Sequence, residues 1–353
     1  MNEANATNPM FGIFLFMLGG LSGAVFYLPF SRVKKWAWES YWLIYALVGL
    51  VLVPWILAYT TSPNTLAVLR AAPRPEIVYC LVCGMLWGFG GLTWGLMIRY
   101  LGVGLGLAMG AGLTSAAGTL IPPMLKGSAA VATMFHTPGG QASVAAAAVS
   151  LAGIVCVGLA GRSKESELPE VEKKKIVAEF NFRKGITAAL FSGLMSSAMS
   201  FGLQGGPGIQ KLALSTAPVT TVSWAGIPVL VVVLMGGFVI NGSWCLVLNF
   251  RNRTAGDYVK AGAPVGSNLF FAALAGILWC LQLVCFKTGE PRMGSTSYIG
   301  WAVLMAATIL FSQLLGILLG EWKGTSAKTR GLLAAGLVLL IASAALAGYS
   351  GSL

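Results

Sequence analysis

The sequence predicts an all-α polytopic membrane protein with ten transmembrane helices in two inverted five-helix repeats. Three observations support this prediction. Hydrophobic residues make up 56% of the 353 residues and charged residues only 10%, apolar stretches recur along the whole chain, and the one long polar stretch falls near its middle. A soluble protein carries about 25% charged residues. A chain with so few cannot cover its apolar residues with a polar surface, so a lipid bilayer is the solvent that fits.

Each predicted span is an apolar segment of about 20 residues, which is the length that a helix needs to cross a bilayer. The seventh segment is longer and either tilts or ends in a turn near Asn241 and Gly242. No Lys or Arg precedes Phe11, so the first segment lacks the basic start of a cleavable signal peptide and is expected to remain as a helix. The ten segments are 11–30, 40–60, 77–98, 100–124, 142–161, 185–204, 217–248, 262–286, 297–320 and 332–350.

The polar stretch divides the chain into an N-terminal repeat (1–161), a cytoplasmic connector (162–184) and a C-terminal repeat (185–353). The connector holds five of the eleven acidic and seven of the 23 basic residues, which marks it as solvated. GMLW (84–87) recurs as GILW (276–279), five predicted helices further on, and GGLSGA (19–24) loosely resembles SGLMSSA (192–198). An odd number of helices in each half inverts the second copy in the membrane, as in alternating-access transporters.

The distribution of Lys and Arg predicts the orientation of the chain. The loops after the odd-numbered segments hold 17 of these residues, and the other loops and the termini hold six. Basic loops face the cytoplasm, so both termini are predicted to be periplasmic. The net charge of +12 is therefore a topology signal that also suits anionic lipid headgroups, and it requires no nucleic-acid partner.

Titratable residues are too scarce for most membrane enzymes. The chain contains one Asp (Asp257) and one His (His136), both in predicted loops. Metal–diphosphate sites, His boxes and Ser/His/Asp triads are therefore disfavoured, and no cofactor or metal is expected. The cysteines lie in apolar segments, where they are typical of packing residues; they are Cys80, Cys83, Cys156, Cys245, Cys280 and Cys285.

The candidate binding groups are uncharged. Trp87 and Trp94 share one face of the third segment, because seven residues make about two helical turns. Amides are costly in hydrocarbon and should face the bundle interior, where they can bind the hydroxyls of a neutral polyol while a Trp face covers its apolar side. The same groups could instead bridge helices or lie in an interfacial aromatic belt. The other candidates are Tyr27, Gln204, Asn268, Trp279, Gln282 and Gln313.

Two carboxylates stand at the predicted cytoplasmic edge, Glu39 at the start of the second segment and Glu321 at the end of the ninth. Either one could take up a proton if a cavity reached it. The alternative is a surface acid near a helix end or beside a lysine.

Several blocks, in order and at matching spacing, resemble the L-rhamnose/proton symporter family of the drug/metabolite transporter superfamily. They include FYLPFSRVKKWAWES (26–40), GMLWGFGGLTWGLMIRYLGVGLG (84–106), LWCLQ (278–282) and GEW (320–322). The resemblance implies a bacterial inner-membrane carrier that imports a small neutral sugar, L-rhamnose and sometimes L-lyxose, with protons. Residues of the same type as in the family are Tyr27, Trp36, Trp38, Glu39, Trp87, Arg99, Tyr100, Asn268, Trp279, Gln282, Glu321 and Trp322.

Three positions differ from the enterobacterial members of that family: Gly91, Ser267 and Ser297 stand where those members have Asn, His and Asp. Glu39 is then the remaining candidate for the proton carrier. An exporter of the same superfamily is the first alternative, although the helix interiors hold no acid for a cationic substrate. A non-transporting sugar sensor or a membrane enzyme is the second alternative, and neither a signalling domain nor a catalytic cluster supports it.

Overall fold

The structure is a computed structural model that describes residues 8–125, 132, 135–167, 181–293 and 300–350. Over these residues the regular elements are helices. Most of the predicted connector, 168–180, lies outside the described residues, as does Ser297. The principal helices are α1 (Pro9–Val25), α2 (Trp38–Thr61), α3 (Thr65–Ala71), α4 (Arg74–Leu101), α5 (Val103–Leu125), α6 (Pro138–Glu167), α7 (Phe182–Ser196), α8 (Ala198–Gln204), α9 (Pro207–Ser215), α10 (Ile227–Arg251), α11 (Val265–Gly289), α12 (Gly300–Leu318) and α13 (Ala327–Ser350).

Seven helical stretches in the described part of the chain are long and apolar enough to cross a membrane. The three remaining predicted segments are helical as α5, α12 and α13 but do not belong to those seven, so the count of ten spans stays a prediction. The seven stretches are Met10–Arg32, Trp38–Thr61, Arg74–Leu101, Pro138–Lys164, Phe182–Ser215, Val222–Arg251 and Val265–Met293.

The seventh predicted segment differs from the helix that is observed. Helix α10 begins at Ile227, with Pro228 in its first turn, where a missing N–H costs nothing. It then continues to Arg251, so the predicted alternative of a turn near Asn241 and Gly242 is wrong. The Asn241 amide instead donates to the carbonyl of Gly237 on its own helix, at 2.9 Å, and to that of Gly88 on α4, at 3.3 Å.

The loops that connect the helices form two groups, one at each end of the bundle, and contacts within each group show which loops lie together. The basic end contains residues 31–37, 98–102, 252–264 and 319–326; there the Asn268 amide accepts from Lys34 N at 3.0 Å and donates to Lys34 O at 2.8 Å. The opposite end contains residues 62–76, 205–226 and 287–293. Here Asn64 Nδ2 donates to the carbonyls of Ala213 and Thr216, each at 2.8 Å. Successive long helices therefore alternate in direction.

The helix contacts follow a regular pattern. Helix α1 packs against α11 and α12, and α7 packs against α4 and α5. Helix α2 packs against α11, and α10 packs against α4. In terms of the predicted segments, segments 1 and 8 pack together as segments 6 and 3 do, segments 1 and 9 as 6 and 4, and segments 2 and 8 as 7 and 3. Each contact therefore recurs when both of its segments are replaced by those five places away.

Two of these crossings depend on glycine. Gly84 of α4 meets Gly236 of α10: a Cβ added at Gly84 would lie 3.2 Å from the Cα of Gly236. Gly49 of α2 meets Gly276 of α11, where an added Cβ on Gly276 would lie 2.6 Å from the carbonyl oxygen of Tyr45 and 2.9 Å from Gly49 N. Glycine therefore lets both pairs of backbones touch.

Glu167 ties the end of α6 to the start of α13. Its carboxylate accepts from Ser326 N at 2.7 Å, from Ser326 Oγ at 2.7 Å and from Thr329 Oγ1 at 2.6 Å. These hydrogen bonds lower the pKa of Glu167 from its ordinary value of 4.5 to about 2. A carboxylate at a helix N-terminus is also favoured by the helix dipole.

We expect Glu167→Gln to lower the melting temperature of the detergent-solubilised protein at neutral pH. The pKa of Glu167 is lower in the folded protein, so the carboxylate stabilises the fold fully above about pH 4.5 and loses that effect as the pH falls toward 2. The difference in melting temperature between wild type and variant should therefore be constant from pH 5 to 8 and shrink below about pH 4.5. A difference that grows on acidification would contradict this assignment.

Candidate functional site

A central cavity lies among α1, α2, α4, α5, α7, α8, α11 and α12. Seven aromatic side chains line it: Phe26, Trp42, Tyr45, Trp87, Trp94, Trp279 and Trp301. Four polar side chains complete the lining with small and aliphatic residues: Thr114, Ser196, Gln282 and Thr308. Among the described residues that line the cavity, no side chain is charged.

Two indoles form the centre of the aromatic lining. Trp87 of α4 and Trp279 of α11 are stacked, with ring centroids 4.6 Å apart and an angle of 29° between the ring planes. Tyr45 meets Trp279 edge to face at 6.3 Å. Both indoles are less than 9% exposed, and an apolar ring face of this kind is suited to the apolar face of a sugar ring.

A polar network fixes the Trp42 indole. Its Nε1 donates to Asn241 Oδ1 at 2.9 Å, and the Asn241 amide is held by the backbone carbonyls described above. Trp42 also stacks on Trp38 at 5.0 Å with an angle of 22°. Because its N–H is hydrogen-bonded to Asn241 and its ring is stacked on Trp38, Trp42 has a fixed orientation at the wall of the central cavity.

Two polar groups of the lining have no hydrogen-bond partner among the described residues. They are Ser196 Oγ and Trp301 Nε1, both buried. Ser196 is 4% exposed. Gln282, in contrast, donates from Nε2 to Thr308 Oγ1 at 3.1 Å. Because an unsatisfied buried polar group costs about 1–3 kcal/mol, Ser196 and Trp301 are positioned to gain from a ligand that hydrogen-bonds them.

A second, larger cavity opens toward the basic end and is named the basic-end cavity. Its lining combines mainly apolar side chains of α4, α7 and α10 with polar or amphipathic ones: Tyr27, Ser31, Trp38, Tyr41, Thr93, Arg99, Ser243 and Glu321. Gly95 lies beside two of its aromatic groups, since an added Cβ would be at the ordinary contact distance of 3.6 Å from both Tyr27 Oη and Trp38 Nε1.

The stacked pair of Trp38 and Trp42 stands between the two cavities. Trp38 lines the basic-end cavity and Trp42 lines the central cavity. At the opposite end, Asn64 and its partners hold α3, α9 and the following loop together, and Glu76 Oε2 accepts from Gly208 N at 2.9 Å.

Four of the residues predicted from sequence line the central cavity: Trp87, Trp94, Trp279 and Gln282. Tyr27 lines the basic-end cavity instead. Gln313 is buried in α12 but lines neither cavity, and Gln204 is exposed at the end of α8. Asn268 is fully buried, and its amide is engaged by the backbone of Lys34.

Glu39 is buried at the basic end. It is 5% exposed, and its Oε1 accepts from Asn252 Nδ2 and Thr254 Oγ1, each at 2.9 Å. It lines neither cavity. The donors come from the loop after α10, so the carboxylate joins the start of α2 to that loop.

Several lining residues were missed in the prediction of the site. Trp42 lies one turn after Trp38, and that spacing was the available signal for an aromatic face on α2. Trp301 stands at the start of α12, where a Trp is typical of a membrane interface. Thr114 and Thr308 gave no signal, because a threonine within an apolar helix commonly bonds its own backbone, as both do here at 2.8 and 2.9 Å.

Comparison with known proteins identifies the family. A family model described as "L-rhamnose-proton symport protein" matches residues 4–352. L-rhamnose-proton symporters of Klebsiella pneumoniae and Yersinia pestis are each 31% identical to the chain, over 344 and 341 residues that cover 96% of both sequences. This match and the seven apolar helices identify a multi-pass membrane protein. The chain belongs to the L-rhamnose-proton symport protein family.

Proposed function

We propose that the protein imports L-rhamnose, or a related deoxy sugar or pentose, together with protons across a bacterial inner membrane. The single observation that supports this best is the central cavity, which combines a stacked indole pair with two buried donors; among the described residues these donors have no hydrogen-bond partner and the lining carries no charge. The relatives' names indicate L-rhamnose and the proton as the transported species. The protein is a carrier and not an enzyme.

The chemistry of the cavity suits a neutral deoxy sugar. The outer indole faces of Trp87 and Trp279, which are not stacked on each other, accommodate the C–H face and the methyl group of the sugar. Its hydroxyls bind Ser196 Oγ, Trp301 Nε1 and the Gln282 amide. An exporter of cationic compounds is the alternative within the superfamily, and such a substrate would require a carboxylate that the described lining of the central cavity does not contain.

Transport proceeds by alternating access between two inverted halves of five helices. Two observations support this: the helix contacts are preserved when each segment is exchanged for the one five places away, and Gly84 and Gly276 make equivalent backbone crossings. The basic-end cavity is the route to the cytoplasm, and the packed opposite end is the periplasmic gate. This orientation follows from the basic loops and leaves both termini in the periplasm.

Uptake in proteoliposomes tests the proposed function. Purified protein is reconstituted, an inward proton gradient is imposed, and labelled L-rhamnose is measured inside. We expect accumulation above protein-free vesicles that collapses when a protonophore removes the gradient. Equal counts in both kinds of vesicle would reject L-rhamnose as substrate, and efflux of lipophilic cations instead would favour the exporter.

Glu39 is the carboxylate that the sequence singles out for the coupling proton; because it lines neither cavity, its protonation in this proposal requires the loop after α10 to open first. Protonation neutralises the Glu39 carboxylate, whose Oε1 accepts hydrogen bonds from Asn252 and Thr254. These bonds weaken, and the connection between α2 and the loop after α10 becomes looser. We expect Glu39→Gln to reduce gradient-driven accumulation to the level reached by simple equilibration, because glutamine binds no proton. The control is Glu290→Gln, which removes a carboxylate at the opposite end; because Glu290 pairs with the buried Lys287 at 2.7 Å, the melting temperature of this variant is measured beside its uptake. Unchanged pH dependence of uptake in Glu39→Gln would exclude Glu39 as the carrier.

A further inference from the structure

Glu321 is a buried carboxylate that contacts a cavity directly. It follows the end of α12, is 3% exposed and lines the basic-end cavity. Gly102 provides the room: its φ of +86° favours glycine, and a Cβ added there would lie 3.1 Å from the carboxylate carbon and from both its oxygens. The backbone turn between α4 and α5 thus accommodates this carboxylate.

A buried cation lies in the same place. Lys164, in the last turn of α6, is 1% exposed and experiences the charge of Glu321. Its Nζ lies 4.9 Å from the centroid of the Trp322 ring, and Trp322 is itself 6% exposed. A buried charge is tolerated when it is paired. Neutralising Glu321 therefore changes the energy of Lys164 as well.

Opposing effects act on the Glu321 carboxylate. Helices α4 and α12 both end here, and the negative ends of their dipoles disfavour an anion, as burial does. Lys164 favours the anion. The basic-end cavity is also lined by Arg99 of α4 and by the hydroxyls of Tyr27 and Tyr41. Lys323 follows Glu321 in the loop after α12.

We propose that Glu321 is a proton-binding group of the transport cycle, facing the basic-end cavity, with the ammonium group of Lys164 as a nearby opposite charge. A proton from the cavity adds to one carboxylate oxygen and leaves a neutral acid that no longer attracts the ammonium. The electrostatic attraction between the end of α12 and α6 weakens as a result, which couples proton binding to helix movement. This inference rests on the proposed function but concerns a site separate from Glu39, which lines neither cavity.

Transport assays with Glu321→Gln test this inference. Two assays are compared in the same proteoliposomes: accumulation of labelled L-rhamnose under a proton gradient, and exchange of labelled for unlabelled L-rhamnose without a gradient. We expect accumulation to be lost and exchange to be retained, since exchange requires no net proton transfer. Glu167→Gln is the control, because it removes another carboxylate at the basic end that lines neither cavity. It is expected to lower the melting temperature but to retain accumulation, so it separates loss of stability from loss of proton coupling.

Normal accumulation in Glu321→Gln would overturn the inference. If that variant loses both activities, Glu321→Asp decides: recovery of accumulation supports the proton-binding role, and a folded aspartate variant without accumulation overturns it.

A second readout does not depend on sugar. Infrared difference spectra of the protein between acidic and neutral pH should contain a protonated-carboxyl band that disappears in Glu321→Gln. If the protonated-carboxyl bands are as strong in Glu321→Gln as in the wild type, the inference is overturned. If the wild-type protein does not take up L-rhamnose, the proposed function is wrong. The infrared experiment still tests proton binding by Glu321 in that case, because it requires no sugar transport.

Discussion

Trp279→Ala is expected to abolish L-rhamnose uptake, and Trp279→Phe to retain part of it. The indole of Trp279 is stacked on Trp87 at 4.6 Å and meets Tyr45 edge to face. Truncation removes the platform for the sugar and leaves Trp87 without its partner. Replacing a buried Trp by Ala typically costs about 3–5 kcal/mol of stability, so binding must be measured on variant protein that is still folded.

The measurement combines gradient-driven uptake with the shift in melting temperature that L-rhamnose produces. A ligand that binds the folded protein raises its melting temperature, and we expect this shift to vanish in Trp279→Ala and to persist, reduced, in Trp279→Phe. Phe270→Ala is the matched control, because Phe270 is an aromatic residue of the same helix that is 61% exposed. A wild-type shift in Trp279→Ala would remove the indole pair from the sugar site.

Gly276→Ala is expected to destabilise the bundle strongly. The added methyl group would lie 2.6 Å from Tyr45 O and 2.9 Å from Gly49 N, and backbone atoms cannot rotate away as a flexible side chain can. Overpacking of this kind costs about 1–3 kcal/mol. The variant should therefore have a lower melting temperature in detergent and a smaller monodisperse fraction on gel filtration.

Gly266→Ala provides the control within the same helix. Nothing lies within 4 Å of a Cβ added at Gly266, so this change should leave the melting temperature unchanged or raise it slightly, since alanine favours the helix. Equal melting temperatures of the two variants would mean that α2 and α11 are not in close contact at Gly276.

The helical segments could be predicted because lipid permits few alternatives to an apolar helix. The start of α10 at Ile227 was not predicted, since 217–226 is apolar enough to resemble a span and only Pro228 marks the first turn. The stacked contact of Trp87 with Trp279 involves helices far apart in sequence, and hydropathy carries no information about such a contact.

The amide candidates illustrate the limit for the site. The cost of an amide in hydrocarbon correctly predicted that Asn268 and Gln313 are buried. It could not predict the partner, which for Asn268 is the backbone of Lys34 across 234 residues of sequence. For Gln204 the assumption itself failed, because α8 ends there and the side chain is exposed. The cost of exposing an amide to hydrocarbon can be judged from its own segment, whereas its actual burial, its partner and its access to a cavity depend on the packing of all helices.

The glycine crossings also determine how the bundle can move. At Gly84 with Gly236, and at Gly49 with Gly276, the backbones of two helices are in direct contact, while side chains such as Trp87 on Gly237 pack beside the crossing. Trp87 and Trp279 each follow their glycine by three residues, less than one helical turn. If the helices rock about these two crossings, residues close to the crossings move least. The two indoles of the proposed sugar site would then stay nearly in place while the distant ends of the helices move.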